Sequence, residues 1–543
     1  MALTSLPALL SDRAAAAPEA VILRRKDRGI WKSLRWRELA AQVATLAGAL
    51  AADGFASGMT GAILSDTRIE WVQADLAIQA AGGAAAGLSP LADVPTIAAQ
   101  LRATGAVTLF VENEEQLDKV LTARADCPAL RRIVIFDMNG LRDLNDPACV
   151  ALTAFAAARP TAARVAADPD AAAAIVFTEG TGRAVSLSHG RIATTIAAAA
   201  ARFGPVPGDE RLAILPLAHT AERVLGLYLS LASGTITNFG ESADTIVENL
   251  REAQPTVLLA APAHWKRFRD RIERDAAAAS WLQRTLLRAA MRLARGGGTL
   301  AARPVLGAAR RALGLARLRL GLIAGGSVAP ELTAWFRALG IDLTEIYGIA
   351  ETAALVATPG HAGAPAVPLR LTEAGEIEIE ADGTWIATGD AGTLEGGILT
   401  VHGRCADAIA RADGTTLHPA TIEAALRLSP FILDALVTPG ADAALTALLR
   451  LDPAAIEAWA HTRRLAFTSY AALVALPELV ALLQPEIDRV NAGPARSAPI
   501  RAFRVLDRRL ADGDPELTSL GALRRDVLAA PRRREPATME ETT

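Results

Sequence analysis

Apolar residues recur along this chain in two alternating rhythms. Short unbroken apolar runs predict buried strands at 61–64, 107–111, 133–136, 175–177, 212–217, 237–239, 257–261 and 320–323, with 343–348 a strand entering a turn. Between them run helical patterns, clearest over 36–52, where Leu39, Val43, Leu46 and Leu50 share one face. Similar patterns predict helices over 71–81, 192–203, 224–232 and 330–339. Residues 1–20 read as a helical lead-in, and 21–25 with 30–34 as a hairpin. Repeated βα units of this size predict a parallel, doubly wound sheet with ligands at the carboxyl ends of its strands.

From Gly375 the period changes. Glu376-Ile377-Glu378-Ile379-Glu380 alternates strictly, as a half-exposed strand does, and 385–390 and 398–402 continue as short β elements. Beyond Gly403-Arg404 a further unit begins, with a hairpin at Asp413-Gly414, a helix over 421–428 and strands over 433–437 and 446–451. The expected architecture is α/β. A large N-terminal body of doubly wound βα subdomains covers 1–403, with a small β unit at about 365–403. A small, mobile α+β domain covers 404–530, and 531–543 reads as a disordered tail.

A chain of 543 residues is too long for one simple core, which fits this division. Abundant alanine favours helix at little entropic cost, and 151–174 is an alanine-rich stretch of helix and loop. The net charge of −3 argues against nucleic acid as a main partner. Cys127, Cys149 and Cys405 are too scattered for a disulfide framework or a metal knuckle, so a reducing, cytoplasmic setting is expected. The N-terminus lacks the order of a signal peptide. Mean hydropathy is positive, yet the most apolar long window, 465–484, holds Ser469, Pro477 and Glu478 and reads as an amphipathic or buried helix. The segment 281–320 is helical and basic, broken at Gly296-Gly297-Gly298, with Arg284, Arg288, Arg292, Arg295, Arg310, Arg311 and Arg317. It reads as a solvated helical hairpin. A peripheral contact at the inner face of a membrane, or a partner surface, is left open.

The candidate chemistry starts at Ile175-Val176-Phe177-Thr178-Glu179-Gly180-Thr181-Gly182-Arg183. A buried strand enters a Thr/Gly turn, where crowded backbone N–H groups and hydroxyls suit a nucleotide phosphate. Taken with four later stretches, this resembles the adenylate-forming, AMP-binding acyl-activating superfamily, in its long-chain acyl-CoA synthetase branch. Those stretches are 215–223 (Leu-Pro-Leu-Ala-His-Thr-Ala-Glu-Arg), 346–352 (Ile-Tyr-Gly-Ile-Ala-Glu-Thr), Thr388-Gly389-Asp390 and Gly403-Arg404-Cys405-Ala406-Asp407. Gln254-Pro255-Thr256-Val257 and the helical 281–317 are also similar, and the resemblance runs from about residue 20 to 528.

The resemblance implies a two-step activity: a carboxylate attacks the α-phosphate of ATP to give acyl-AMP, and a thiol then displaces AMP. It implies ATP, Mg²⁺ and CoA, or an acyl carrier protein as acceptor, with a fatty acid as substrate. Thr178, Gly180, Thr181 and Gly182 would hold phosphate, and Glu351 with Thr181 would hold Mg²⁺. Tyr347 and Gly348 would flank the adenine, with Gly325, Gly326 and Ser327 lining its pocket. Asp390 would accept the ribose hydroxyls, Arg404 would assist at ribose and phosphate, and His219 would border the acyl site. Each also has a plain structural reading: Glu351 as a helix cap, Asp390 as a turn residue, Arg404 as a partner of Asp407, His219 as a core histidine.

The departures from the family pattern are specific. The phosphate loop is short and lacks its Pro-Lys-Gly, and Glu179 replaces a small hydroxyl residue. Ala522 stands where the family carries its catalytic lysine; Ala350, Ala406 and Thr415 also differ. Two expectations follow. One is an active, divergent fatty acid–thiol ligase in which Arg183, Arg524 or Arg525 supplies the missing charge. The other is a catalytically silent relative that binds acyl chain or nucleotide, or serves as a scaffold.

Overall fold

The computed structural model describes residues 5–157, 168–178, 182–296, 299–361, 365–381, 383–411, 414–440, 444–511, 513–518 and 520–528. The expected tail at 531–543, and parts of the 151–174 stretch and of the Asp413-Gly414 hairpin, lie outside them. The chain divides into two compact units, with the boundary between His402 and Gly403.

The first unit opens with a seven-stranded sheet in the order Cys149–Ala151, Arg132–Ile135, Thr108–Val111, Thr60–Leu64, Ala84–Leu88, Ala172–Phe177, Ala184–Ser188. All neighbours are parallel except the last pair, an antiparallel hairpin. Ala84–Leu88 was not foreseen, because Ala-Ala-Ala-Gly-Leu has little intrinsic strand preference. Packing forces it: every residue is buried, and a Cβ on Gly87 would lie 3.0 Å from Ala218 Cα and 3.2 Å from the Trp71 ring.

A second strand set runs Glu210–Ala213, Ile236–Phe239, Val21–Asp27, Ile30–Arg35. The N-terminal hairpin therefore pairs far along the chain, with Val21–Asp27 parallel to Ile236–Phe239. Val257–Ala260, Leu320–Ile323 and Leu343–Glu345 form a parallel trio, and Thr256 N donates to Glu210 O at 2.8 Å where the two sets meet. The alternating segment is, as expected, part of an antiparallel sheet: Leu369–Leu371, Glu376–Ala381, Thr384–Glu395 and Ile398–Arg404, with Ile377 and Ile379 fully buried.

Two elements differ from expectation. The strand read over 212–217 is Glu210–Ala213; the following Leu215-Pro216-Leu217 is a turn held by Thr67 Oγ1, which donates to Leu215 O and accepts from Leu217 N, both at 2.9 Å. The helix read over 224–232 is a π-helix over Glu222–Tyr228, then α-helix over Leu229–Ser233. Buried charge accounts for the wide turn. Arg211 pairs with Glu222, and a Cβ on Gly226 would stand 2.9 Å from both Glu222 Cδ and Arg211 Nη2. Arg223 is fully buried on Asp75, donates from Nε to the Tyr228 hydroxyl at 2.7 Å, and reaches the carbonyls of Ala85 (2.9 Å) and Ile175 (3.3 Å).

The second unit has a three-stranded sheet, Ile432–Pro439, Leu445–Leu451 and Ile500–Val505, packed against Pro419–Leu426, Pro453–Thr462 and Pro477–Ala492 around Ile422, Val437, Leu449, Ile456 and Leu483. The apolar window at 465–484 spans a short helix, Tyr470–Val474, and the start of Pro477–Ala492, with Pro477 opening the second. No helix among the described residues is long and apolar enough to cross a membrane. Asp75→Ala should cost about 3–5 kcal/mol by leaving the Arg223 charge buried alone; urea unfolding of the purified chain reads this directly.

Candidate functional site

The predicted phosphate loop is the turn of the Ala172–Phe177/Ala184–Ser188 hairpin. Thr178 closes it with backbone and hydroxyl. Its N–H donates to Arg183 O at 2.9 Å, Arg183 N–H to Thr178 Oγ1 at 3.0 Å, and Gly182 N–H to Thr178 O at 3.0 Å. Gly182 has φ +63° with open space where a side chain would be. Glu179, Gly180 and Thr181 lie outside the described residues. Past the hairpin, Ser188 Oγ caps the His189–Phe203 helix by accepting from Arg191 N–H at 3.2 Å.

The loop meets the 346–352 motif through an ion pair. Arg183, with a 61% exposed side chain, binds the carboxylate of Glu351, which is 15% exposed. Glu351 sits in a 3₁₀ turn, Ala350–Thr352, rather than capping a long helix. The chain then doubles back through Ala353 and Ala354, both at positive φ (53° and 80°) and both buried. Left-handed backbone at two successive alanines is strained and needs support. Ala354 N–H donates to Ile349 O (3.0 Å), Val356 N–H to Tyr347 O (2.8 Å), and Thr195 Oγ1 to Thr352 O (3.1 Å). Gly348 makes the reversal possible, since a Cβ there would fall 2.0 Å from Ala354 O.

Tyr347 and Asp390 come together: the tyrosine hydroxyl donates to Asp390 Oδ2 at 2.9 Å. Asp390 is 8% exposed, its N–H donates to Thr388 Oγ1 (3.1 Å), and that hydroxyl donates to Ile377 O (2.8 Å). Gly389, at φ +74°, donates its N–H to Glu376 Oε1 at 3.0 Å. Gly325, Gly326 and Ser327 follow the carboxyl end of Leu320–Ile323, the neighbour of Leu343–Glu345. Ile346 N–H donates to Ile323 O at 2.8 Å, so the glycine turn and Tyr347 leave the same sheet edge, where a ligand site belongs. Gly326 has φ +157°.

Glu345, on that edge, was not singled out by sequence. Burial alone raises its carboxyl pKa from 4.5 to about 7. A lone acid in the apolar run 343–347 was the available signal.

His219 is half-buried in the turn before the π-helix; its Nδ1 accepts from Ala221 N–H at 3.2 Å. An apolar cavity of about 490 Å³ lies elsewhere, among Pro262–Ala278, Trp281–Arg295 and Thr299–Leu313. Arg404 is exposed and belongs to the second unit. So does Ala522, exposed in a turn where Thr518 N–H donates to Ala522 O at 2.8 Å. Of the neighbouring arginines, Arg525 is committed to Glu423, to Asp407 (3.3 Å) and to Val437 O (2.7 Å), and Arg524 to Asp526 (2.7 Å).

No cluster of three or more His, Cys, Asp or Glu side chains among the described residues forms a self-sufficient metal site. Magnesium carried on a triphosphate needs only one or two protein carboxylates, and Glu351 fits that requirement.

Known proteins resemble this chain in sequence and fold. A family model described as AMP-binding enzyme matches residues 10–384. Long-chain-fatty-acid–CoA ligase FadD15 of Mycobacterium bovis is 28% identical over 564 residues, covering 94% of this chain and 93% of its own. Long-chain-fatty-acid–CoA ligase ACSBG1 of Rattus norvegicus is 24% identical, covering 80% and 68%. Among solved structures, the adenylation domain of a carboxylate reductase from Mycobacterium chelonae superposes with a TM-score of 0.79 at 18% identity, covering 98% of this chain and 90% of that one. The anthranilate CoA ligase AuaEII, solved with anthranoyl-AMP, gives 0.72 at 16%, covering 98% and 97%. The α/β fold is that of these adenylation domains, and with the family model matching most of its length the chain belongs to the AMP-binding enzyme family.

Proposed function

We propose that this chain activates a long-chain fatty acid with ATP and passes the acyl group to a thiol, that of CoA or an acyl carrier protein. In the first half-reaction a carboxylate oxygen bonds to the α-phosphorus and pyrophosphate leaves. In the second, sulfur bonds to the acyl carbon and AMP leaves. The observation that carries the reading is the buried Tyr347–Asp390 hydrogen bond. A carboxylate that is nearly buried and already oriented can accept ribose hydroxyls without reorganising. Tyr347, Gly348 and the Gly325–Gly326–Ser327 turn serve the adenine. Thr178, Gly180, Thr181 and Gly182 offer hydroxyls and N–H groups to phosphate. Glu351, with Thr181, would hold Mg²⁺, which when bound neutralises charge growing on the phosphates. Arg404 assists at ribose and phosphate, and His219 borders the acyl chain.

A second reading, a silent relative, has its own support. The Glu351 carboxylate is already paired with Arg183, and exposed Ala522 offers no cation. Pyrophosphate exchange into ATP with palmitate separates the two. The ligase reading expects exchange in the wild type and a loss of about 10–100-fold in Asp390→Ala, the worth of hydrogen bonds to a charged group. ATP binding without exchange supports the silent reading. Under the ligase reading Ala522→Lys should raise exchange about 10-fold or more; an unchanged rate would make the short loop limiting.

Glu345 adds a pH signature. Its folded pKa of about 7 lies above the ordinary 4.5, so the folded chain keeps a proton that the unfolded chain releases. The group's contribution to stability is full below 4.5 and is lost as pH rises through about 7. Glu345→Gln should therefore be near neutral at acid pH and stabilising, by about 3 kcal/mol, in mild alkali. Thermal melts of both proteins across that range check the sign.

A further inference from the structure

The Trp281–Arg295 helix presents a surface that the adenylation reading does not use. Ten large apolar side chains are strongly exposed among the described residues, and four of them, Trp281, Leu282, Leu286 and Leu293, lie on this one helix. Its buried residues, Ala290, Met291 and Ala294, fix the opposite side against the body. At 100° per residue Leu282, Leu286 and Leu293 form one exposed stripe. Arg284, Arg288, Arg292 and Arg295, with Trp281, form a second stripe centred roughly 145° round the helix, with Arg292 nearest the leucines. Of these four arginines only Arg295 lies near a described carboxylate that it stabilises, that of Glu273. The local sequence itself supplies none: between Asp275 and Glu331 there are nine arginines and no acidic residue.

We infer that this helix is a docking surface for an anionic lipid bilayer, lying in the membrane plane. An apolar stripe with an arginine stripe on its solvent side is what a helix at the headgroup boundary requires: leucines enter the acyl region while long guanidinium side chains reach back to the phosphates. A solvated helix facing only water has no use for four exposed large apolar groups, and an acid-free run of this length repels other basic surfaces. The apolar surface also continues inward, because Leu286 lines the 490 Å³ cavity with Leu287, Val305 and Ala309. The proposal is independent of the ligase reading, since lipid binding is measured without substrate.

The test is co-sedimentation of the full chain with vesicles of phosphatidylcholine and phosphatidylglycerol, against pure phosphatidylcholine and against high salt. The wild type should bind the anionic vesicles, weaken on pure phosphatidylcholine, and weaken with salt. The triple variant R284Q/R288Q/R292Q should bind about 100-fold more weakly, roughly fivefold per arginine. The matching Arg→Lys triple should keep most of the affinity. L282S/L286S should lose about 10-fold or more through the apolar term. All positions are exposed or half-exposed, so circular dichroism should match the wild type. Wild-type failure to bind, equal binding to both vesicle types, or binding unmoved in the glutamine variant overturns the proposal. So does lipid-free self-association that L282S/L286S abolishes, which would make this face an interface between copies.

Discussion

A buried guanidinium sets the terms for the first unit. Arg223 has no exposure, so its donors must find partners inside the protein or the fold loses several kcal/mol. It finds them on four elements: Asp75 in Ile69–Ala80, the Ala85 carbonyl in Ala84–Leu88, the Ile175 carbonyl in Ala172–Phe177, and Tyr228 in its own π-helix. Gln79 and the Asp75 carboxylate close the ring on the Tyr228 hydroxyl, at 3.1 and 2.8 Å. Such a network is worth having only when complete. With each Arg223 nitrogen paired, it ties the π-helix to the seven-stranded sheet through the very strand that ends in the Thr178–Arg183 hairpin. The position of the candidate phosphate loop is thus inherited from a knot of charge deep in the core.

The other constraint is a close approach of backbone. Gly348 lies against Ala354 O so tightly that any side chain would collide, and the price is left-handed backbone at Ala353 and Ala354. The return is a rigid loop. Tyr347 is paired with the Val356–Ala357 backbone, Thr352 is braced by Thr195, and Glu351 is held at the turn between them. The strain sits next to the residues whose direction matters most, where a fold gains from over-determining geometry.

Much of this was legible in the sequence, for a physical reason in each case. Period-two alternation at 376–380 and the apolar stripe at 36–52 report burial directly, and both emerged as read. Ala84–Leu88 did not, because its strand character comes from neighbours that tolerate only small residues. The Glu222-Arg223 pair reads from sequence as the tail of an acyl-pocket motif, yet both side chains are sealed in the core, and only His219 in that stretch keeps partial exposure on a polar side chain that could reach a ligand. The Arg183–Glu351 pair joins positions 168 residues apart and leaves no local trace.

That pair also bears on the cations the family pattern would place and this chain lacks. A carboxylate as buried as Glu351 wants a positive partner at all times, and Arg183 is the one the folded chain supplies. Arg525, which sequence alone offered as a substitute for the absent lysine at Ala522, is spent on Glu423 and Asp407, and Arg524 leans on Asp526. Arg183 differs from both: its side chain is 61% exposed at a hairpin tip, so its guanidinium can exchange one anion for another at little desolvation cost. On the proposed ligase reading, a triphosphate entering the loop would compete for that arginine, and the cation it carries would compensate Glu351. The shortened loop, on that reading, keeps a single arginine on the acid at rest and releases it to the phosphates when nucleotide arrives.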